Sequence, residues 1–298
     1  MSKGTLIKKS LKDRILVALP LASFSAICLL PFIMLISSSI TSNEVLLRGI
    51  KIIPEDVTLK GYAIIFTYPW DMLKSYGYTV LISVGGLTIS LLLCMLIAYP
   101  LSDIHFSHRK WVSFLVYFTF LFSAGLIPTY IVITRLLNLN DTVFILMLMP
   151  AMMPGHIFFL RVYYQGVPES LYESARIDGA NEFRILFKVA TPLVLPGLAT
   201  LAFQMVIMYW NDAFTPLYYT DNITPIALYL YRWENYINFI KFAGQSGLGG
   251  VVDIDLNDLP DLIMRYAMAV ITSMPLIIIF LFFQKYFIKG LTTGAVKG

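Results

Sequence analysis

The residues best suited to chemistry lie in one polar stretch, residues 167–192, between two strongly apolar segments. Within it, Glu173 and Asp178 offer carboxylates that can accept hydrogen bonds from the arginines or backbone amides of another protein. Ser174 and Ala175 lie between them and are small, so a helix that carries them can enter a groove on that protein. The pattern is compatible with recognition of a partner. A hairpin that only closes a loop is the alternative, and these residues alone do not separate the two.

Capping signals predict that this stretch forms two short helices joined by a turn. Pro168 fits the first position of a helix, and Gly179 fits a left-handed cap just beyond its end. Asn181 can cap a second helix that runs towards Pro192. Because the second helix continues through Pro192 into the next apolar segment, we expect a stiff connection between the hairpin and that segment.

Patterns for catalysis or metal binding are absent from the rest of the sequence. The three histidines have no metal-ligand spacing with the two cysteines, Cys28 and Cys94, which lie in apolar segments and are expected to be inert. His156 falls within an apolar segment, where a hydrogen bond between helices is the main expectation and a place on a transport pathway is the alternative. The glycine-rich residues 244–250 lack the lysine of a nucleotide-binding loop. We therefore expect no catalytic residue, metal site or cofactor in this chain.

Composition indicates an integral membrane protein. The chain has 298 residues, of which 58% are hydrophobic and only 13% are charged, too few to cover the surface of a soluble domain of this size. Its net charge of +4 is not gathered into a basic run interleaved with aromatic residues, so no nucleic-acid partner is expected. We predict an all-α transmembrane domain that spans residues 1–298.

Six apolar stretches are long enough to cross the hydrocarbon core of a bilayer. They are residues 15–38, 78–101, 111–133, 142–162, 193–217 and 263–283. The first follows a basic N-terminus but is too long for a cleaved signal peptide, so we interpret residues 14–40 as a retained transmembrane helix. Prolines interrupt several stretches, which indicates a packed bundle, because neighbouring helices have to satisfy the freed carbonyl groups.

The distribution of basic residues predicts the orientation of these spans. With the N-terminus in the cytoplasm, the inner loops receive most of the 22 lysines and arginines, as the positive-inside rule requires. This orientation places both termini and the hairpin in the cytoplasm of a cell with a plasma or inner membrane. Two long outer loops, about residues 41–76 and 218–262, carry aromatic residues that are typical of interfacial anchors, with contact to a soluble partner as the alternative.

The source of energy for a transporter is missing from this sequence. The spans carry few ionisable residues and show no series typical of a proton relay or a voltage sensor. A transporter with neither ion-coupling residues nor a nucleotide site has to receive its energy from another subunit. The cytoplasmic hairpin is the natural place for that contact.

The hairpin resembles the EAA motif of ABC-importer permeases, which reads E-A-A-x-x-x-G and then I-x-L-P. Residues 173–180 read Glu-Ser-Ala-Arg-Ile-Asp-Gly-Ala, with Ser174 in place of the first alanine, and Val189-Ala-Thr-Pro192 stands for I-x-L-P. The version with R-I-D-G-A, here Arg176-Ile-Asp-Gly-Ala180, is similar to that of carbohydrate importers, and specifically to the second permease of the maltose-importer type. Residues 121–130, 209–212 and 284–298 also resemble this family, in its branch of polysaccharide and oligosaccharide permeases that work with a lipoprotein receptor.

The resemblance implies a fold and a set of partners. The fold is that of a type I ABC-importer permease with six transmembrane helices, a core region over about residues 76–284, a coupling hairpin over 167–192 and a cytoplasmic tail over 284–298. The partners are a homologous permease in a heterodimer, a cytoplasmic ABC ATPase dimer that binds ATP and magnesium, and an extracellular or periplasmic solute-binding (lipo)protein that delivers a carbohydrate. Contact with the ATPase is expected at Glu173, Ser174, Ala175, Asp178, Gly179, Ala180 and Pro192.

Residues for a sugar path are more difficult to choose. Sugars are held by aromatic faces and by amide or hydroxyl groups, and the third and fifth spans offer Tyr130, Gln204, Tyr209, Trp210 and Asn211. Packing or interfacial anchoring is the alternative for each of them. A self-contained secondary carrier of small polar solutes is the competing function, and the sparse ionisable content argues against it. A membrane enzyme would need a nucleophile, metal or acid–base pair that the sequence does not offer.

Overall fold

The structure is a computed structural model that describes residues 11–67, 69–151, 153–245 and 261–295. Its helices over these ranges are α1 (Leu11–Ser39), α2 (Asn43–Arg48), α3 (Lys60–Ile65), α4 (Pro69–Ser102), α5 (Arg109–Leu121), α6 (Leu126–Ile131), α7 (Val143–Leu148), α8 (Pro154–Gln165), α9 (Glu169–Ile177), α10 (Glu182–Arg184), α11 (Thr191–Leu193), α12 (Leu195–Trp210), α13 (Phe214–Tyr219), α14 (Ile226–Gln245) and α15 (Asp261–Ala295). Wider π-helical segments extend α6 over Val132–Leu136 and join α10 to α11 over Ile185–Ala190. The glycine-rich residues 246–250 and the last residues of the predicted tail, 296–298, lie outside the described residues.

The chain divides into two compact units, of which the first comprises Met1–Tyr68 and Ile237–Ser273. Between α1 and α3, Thr41 pairs with Val57 in an isolated antiparallel bridge. The hydroxyl of Tyr62 on α3 lies 2.9 Å from the Ser39 hydroxyl at the end of α1 and donates a hydrogen bond to it. The first predicted outer loop is therefore structured over much of its length.

The second unit comprises Pro69–Tyr236 and Met274–Gly298, and α4 is the helix around which it packs. α4 contacts α7, α8 and α12. Its buried side recurs every three or four residues and contains small residues: Ser75, Thr79, Ser83, Gly86 and Ser90. Lipid is as apolar as a protein core, so membrane helices associate through close packing and hydrogen bonds, and small residues allow that approach.

Gly86 illustrates why a small residue is needed on this side of α4. A methyl group added at Gly86 would clash with the ring of Tyr209 on α12. Tyr209 is 3% exposed, and the bulk of its ring fills the space that the glycine leaves. The contact between α4 and α12 therefore depends on a glycine opposite a tyrosine.

The number of uninterrupted spans differs from the sequence prediction. Within the described residues, three helical segments are long and apolar enough to cross a membrane alone: Ala18–Ser39, Pro69–Ser102 and Leu262–Lys285. Two bent pairs would raise the number to five, one from Arg109–Leu121 with Leu126–Leu136 and one from Glu182–Leu193 with Leu195–Trp210. The predicted span over 142–162 is divided between α7 and α8.

Proline and glycine explain these breaks. Pro154 begins α8 and lacks the amide hydrogen that would bond to a carbonyl one turn earlier. Gly125 precedes α6 with a φ of 82°, a left-handed value that few residues other than glycine adopt, where the chain bends by 113°. The periodicity of apolar residues predicts total apolar length well, but it does not show where a helix is interrupted.

Candidate functional site

The polar hairpin forms the helix–turn–helix that the sequence predicts. α9 ends before Gly179, whose φ of +76° is the expected left-handed cap. Asn181 caps the second helix, since its side-chain oxygen accepts a hydrogen bond of 2.9 Å from the amide of Arg184. Pro168 differs from the prediction by one position: its ψ of 130° is extended, so it precedes the first turn of α9. Local capping rules therefore determine this hairpin almost completely.

A cluster of polar side chains fixes the hairpin to the end of α4. The guanidinium of Arg176 on α9 donates to Glu182 Oε1 at 2.9 Å and to Asp103 Oδ2 at 3.1 Å. The hydroxyl of Tyr99 on α4 donates to the other oxygen of Glu182 at 2.6 Å. We call these four residues, Tyr99, Asp103, Arg176 and Glu182, the Arg176 cluster. It joins both helices of the hairpin to the helix around which the second unit packs.

Sequence reasoning did not assign a role to any member of the Arg176 cluster. Arg176 begins the R-I-D-G-A segment, and Asp103 lies two residues after the end of the predicted span 78–101. A carboxylate and an arginine in two inner loops give a weak signal for an ion pair, but 73 residues separate them. No helical spacing predicts that contact.

Each carboxylate of the cluster is stabilised in its charged form. Partial burial opposes the charge on Glu182, but hydrogen bonds from Arg176 and Tyr99 outweigh it and lower the pKa of Glu182. Partial burial likewise opposes the charge on Asp103, and bonds from the backbone amide of His105 and from Arg176 outweigh it and lower its pKa. The bond to Glu182 is the main cause that raises the pKa of Arg176. All three groups are therefore charged at neutral pH.

This electrostatic pattern predicts how the hairpin responds to acid. Because the pKa values of Asp103 and Glu182 are lowered by folding, their stabilisation is present above the unfolded values of about 4 and is lost as the pH falls through the folded values. We expect a spin-label distance between exposed positions Ser107 and Ile177 to stay constant from pH 7 to about pH 5 and to broaden below about pH 4. His105 also approaches Asp103, so His105→Gln protein serves as the control. Broadening confined to pH 6–7 would contradict the assignment.

Aromatic rings complete the contact between the hairpin and the bundle. Tyr99 meets Tyr164 of α8 edge to face at 5.7 Å between ring centroids and Tyr172 of α9 at 6.0 Å. The hydroxyl of Tyr172 donates to the backbone carbonyl of Tyr164 at 3.3 Å. Tyr164 is fully buried, so α9 lies on a rigid support.

The opposite side of α9 is exposed. No residue of α9 is buried within the described chain, and Ile177 is 86% exposed. Glu173, Ser174 and Asp178 are exposed beside it, whereas Ala175 is half-buried. Of the remaining residues predicted to couple, Gly179 and Pro192 are exposed and Ala180 is half-buried. An apolar side chain with neighbouring carboxylates on a supported helix is a surface suited to a protein groove.

The connection from the hairpin to the fifth apolar segment is bent, so the second helix does not continue into that segment as one helix, contrary to the prediction. The stiffness of this connection stays a prediction. The segment Glu182–Leu193 and α12 meet at 86°. Pro192 precedes the bend and Pro196 follows it, and neither can donate the hydrogen bond that continues a helix. The backbone still bridges the corner, because the amide of Leu198 donates to the carbonyl of Val194 at 3.0 Å.

Among the residues predicted for the sugar path, Tyr209 is held by other parts of the protein. Its hydroxyl lies 2.8 Å from the hydroxyl of Ser90 on α4 and donates to the carbonyl of Met147 on α7 at 2.7 Å. The buried hydroxyl thus joins three helices.

We expect Tyr209→Phe to destabilise the protein by about 1–2 kcal/mol, because the buried partners Ser90 and Met147 lose a hydrogen bond. The melting temperature of the purified complex measures this loss. Tyr117→Phe is the matched control, since Tyr117 is 50% exposed. Equal melting temperatures for the two variants would show that the bond contributes nothing.

The other four residues predicted for the sugar path differ in their exposure and in their contacts. Trp210 is buried and its ring is tilted against Tyr76 at 6.2 Å. Asn211 is exposed and its amide donates to the carbonyl of the residue one turn earlier at 3.0 Å. Gln204 is exposed, and Tyr130 is 44% exposed and stacked on another tyrosine at 5.8 Å. Their role in transport stays a prediction.

Residues with metal-binding or redox chemistry do not converge in the described part of the chain. No group of three or more His, Cys, Asp or Glu residues there is placed to hold a metal ion. Cys28 is exposed and Cys94 is buried, and both are free thiols. The imidazole Nδ1 of His156 is buried and has no hydrogen-bond partner among the described residues, so the helix-to-helix bond expected for it is not formed at that atom.

Comparison with known proteins decides the family. Residues 90–293 match the family described as "Binding-protein-dependent transport system inner membrane component". The chain belongs to this family. The matched residues include the Arg176 cluster, the hairpin and α12. The candidate site of this permease therefore lies within the region that defines the family.

Relatives of the permease include two named transport proteins. The polygalacturonan/rhamnogalacturonan transport system permease protein YtcP of Bacillus subtilis (strain 168) is 35% identical over 93% of this chain and 96% of its own length. The arabinooligosaccharides transport system permease protein AraQ of Halalkalibacterium halodurans is 30% identical over 95% and 96%.

A solved structure has the same overall fold as the permease. It is a chain of a bacterial ABC transporter involved in the import of the acidic polysaccharide alginate. The two chains superpose with a TM-score of 0.73 at 29% identity, over 93% of this chain and 98% of the other. The helical architecture of the described residues is therefore that of a membrane chain of an ABC importer.

Proposed function

We propose that this permease is the transmembrane subunit of an ATP-driven importer for oligosaccharides or related carbohydrates. The observation that carries the proposal is α9, whose outer side is exposed while its inner side is fixed to α4 by the Arg176 cluster. Relatives named for the transport of polygalacturonan/rhamnogalacturonan and of arabinooligosaccharides support the substrate class. The chain itself is no enzyme, and a separate ATPase holds the ATP and magnesium.

The proposed assembly contains three kinds of partner protein in addition to this permease, and a carbohydrate as its substrate. A homologous permease forms the translocation path with it, with six spans in this chain and both termini in the cytoplasm. An ATPase dimer receives the hairpin, and a solute-binding (lipo)protein outside delivers the carbohydrate. The side chains of Tyr130, Gln204, Tyr209, Trp210 and Asn211 remain the proposed contacts along the path.

Coupling follows from the contacts of the hairpin. When the ATPase dimer closes on ATP, it displaces α9 through the exposed residues around Glu173 and Asp178. The Arg176 cluster transmits this displacement to the end of α4, and the bent segment before α12 transmits it to α12. Because α4 and α12 pack on each other, both move as the bundle changes between inward-open and outward-open states.

Reconstitution in proteoliposomes tests this function against the alternative of a secondary carrier. The permease pair is reconstituted with and without the ATPase, and uptake of a radiolabelled oligosaccharide mixture is measured with the binding protein present. We expect uptake only with ATPase and ATP, and no effect of an ionophore. Uptake by this chain alone that an ionophore abolishes would establish the carrier and overturn the proposal.

A further inference from the structure

A cavity of about 490 Å³ lies at the end of α4 opposite the Arg176 cluster. Its walls come from the first turns of α4, the segment before α14 and the first half of α14. From Lys74 in this wall to Tyr99 in the Arg176 cluster, α4 rises by about 40 Å, which is enough to cross a hydrocarbon core. The volume is within the range of cavities that hold small ligands.

One wall of the cavity is a row of aromatic side chains. Tyr229, Trp233 and Tyr236 recur at helical spacing on one side of α14. The rings of Tyr229 and Trp233 lie 6.3 Å apart and those of Trp233 and Tyr236 lie 5.9 Å apart, both edge to face. The C–H faces of a sugar ring pack on such rings, and phenol hydroxyls and the indole N–H can bond to sugar hydroxyls.

Two cations on different helices line this cavity. Lys74 on α4 lies with its ammonium 5.8 Å from the centroid of the Tyr78 ring. Arg232 on α14 donates to the Thr224 hydroxyl at 3.0 Å, which fixes one arm of its guanidinium. Among the described residues, neither cation has a carboxylate within 4.0 Å, although Asp71 also lines the cavity. A guanidinium held in this way can bind a carboxylate through two parallel hydrogen bonds.

The segment that precedes α14 and forms part of the cavity wall is held in place before any ligand arrives. The carboxylate of Asp141 accepts hydrogen bonds from the amides of Asp221 and Asn222 at 3.2 and 3.1 Å, and from the Asn222 side chain at 2.5 Å. The amide of Ile226, at the start of α14, donates to the buried hydroxyl of Thr79 on α4 at 2.8 Å. A preformed site does not lose affinity to the ordering of its walls.

We propose that this cavity binds a uronate unit of an acidic oligosaccharide, with Arg232 and Lys74 on its carboxylate and the α14 aromatic residues on its ring. The inference rests on the proposed function and deepens it, since it selects an acidic sugar among carbohydrates. A neutral sugar would use the aromatic wall but would offer neither cation an anionic partner. Docking of a soluble protein at this wall is the competing occupant, and the test includes it.

Equilibrium binding to the assembled transporter in nanodiscs, without its binding protein, tests the site directly. The probes are trigalacturonate and its neutral methyl ester. We expect Arg232→Gln and Lys74→Gln each to weaken binding of trigalacturonate about tenfold, the loss of one charge-assisted hydrogen bond, and to change binding of the ester less than about twofold. Lys60→Gln is the matched control, because Lys60 is exposed and does not line the cavity.

Each other outcome overturns the inference in a distinct way. Equal losses for the two probes would show that the cavity does not select charge, and unchanged binding in both variants would show that the sugar lies elsewhere. A loss of affinity for the sugar-free binding protein, with trigalacturonate binding intact, would make this wall a protein-docking surface. Oligosaccharide uptake by the wild-type transporter, measured in parallel, separates the two proposals. If the wild type takes up oligosaccharide but does not bind trigalacturonate, only the inference about this cavity is wrong. If the wild type takes up no oligosaccharide, the proposed function is wrong.

Discussion

Replacing Gly179 with valine is expected to abolish carbohydrate uptake while the assembled transporter continues to hydrolyse ATP. The φ of Gly179 is +76°, and a β-branched residue in this region costs about 1–2 kcal/mol or more. An added Cβ would meet nothing within 4 Å, so all of this cost is backbone strain. The turn relieves the strain by opening, and α9 then no longer moves together with the helix that leads to α12.

Two further glycine variants make this test specific. Gly179→Asn should retain most uptake, because asparagine tolerates the left-handed conformation. Gly155→Ala is the positional control, since Gly155 also has open space around it but lies in α8 without a positive φ. The readout is the number of ATP molecules hydrolysed for each sugar imported. A normal ratio in Gly179→Val would refute the role of this turn in coupling.

Replacing Arg176 with glutamine is expected to give the second large effect, a loss of most uptake with a more mobile hairpin. The substitution removes two charge-assisted bonds, to Glu182 and Asp103, and leaves both carboxylates without their cation. These groups are partly exposed, so each pair contributes about 0.2–1 kcal/mol. The Asp103 pair joins α9 directly to the end of α4, and the Glu182 pair does so through the bond from Tyr99 to Glu182. Together they contribute about 0.4–2 kcal/mol, which corresponds to a change of about 2- to 30-fold in the docked population.

Matched variants separate this effect from the loss of a positive charge. Arg184→Gln removes an exposed arginine from the same hairpin, and only the backbone of Arg184 contributes to the described cap. We expect uptake close to normal in that control. A double-mutant cycle of Arg176→Gln with Asp103→Asn should show coupling energy between the two sites. The measurement is the protection of the hairpin amides against hydrogen exchange. If the losses of protection in the two single variants add up to the loss in the double variant, the pair does not act as a unit.

The hairpin was the part of the permease that could be predicted in most detail from its residues. Its conformation depends on contacts within a few residues: a left-handed glycine at 179 and an amide cap from Asn181. Membrane class and the presence of long apolar helices were equally accessible, because composition and apolar length decide them. The family resemblance in the same segment agrees with the family that matches residues 90–293.

Other features depended on distant residues, and no local pattern contains them. Asp103 meets Arg176 only because α4 ends beside α9. Lys74 and Arg232 line one cavity only because the segment before α14 returns to the start of α4. The periodicity of apolar residues also does not predict the bend of 86° before α12, where two prolines lack the amide hydrogens that continue a helix. The sequence alone determined the class, the hairpin and its caps, because these follow from composition and near neighbours. Only the tertiary structure decided what the hairpin is fixed to and which cations meet the aromatic wall, because packing brings together residues that the chain keeps far apart.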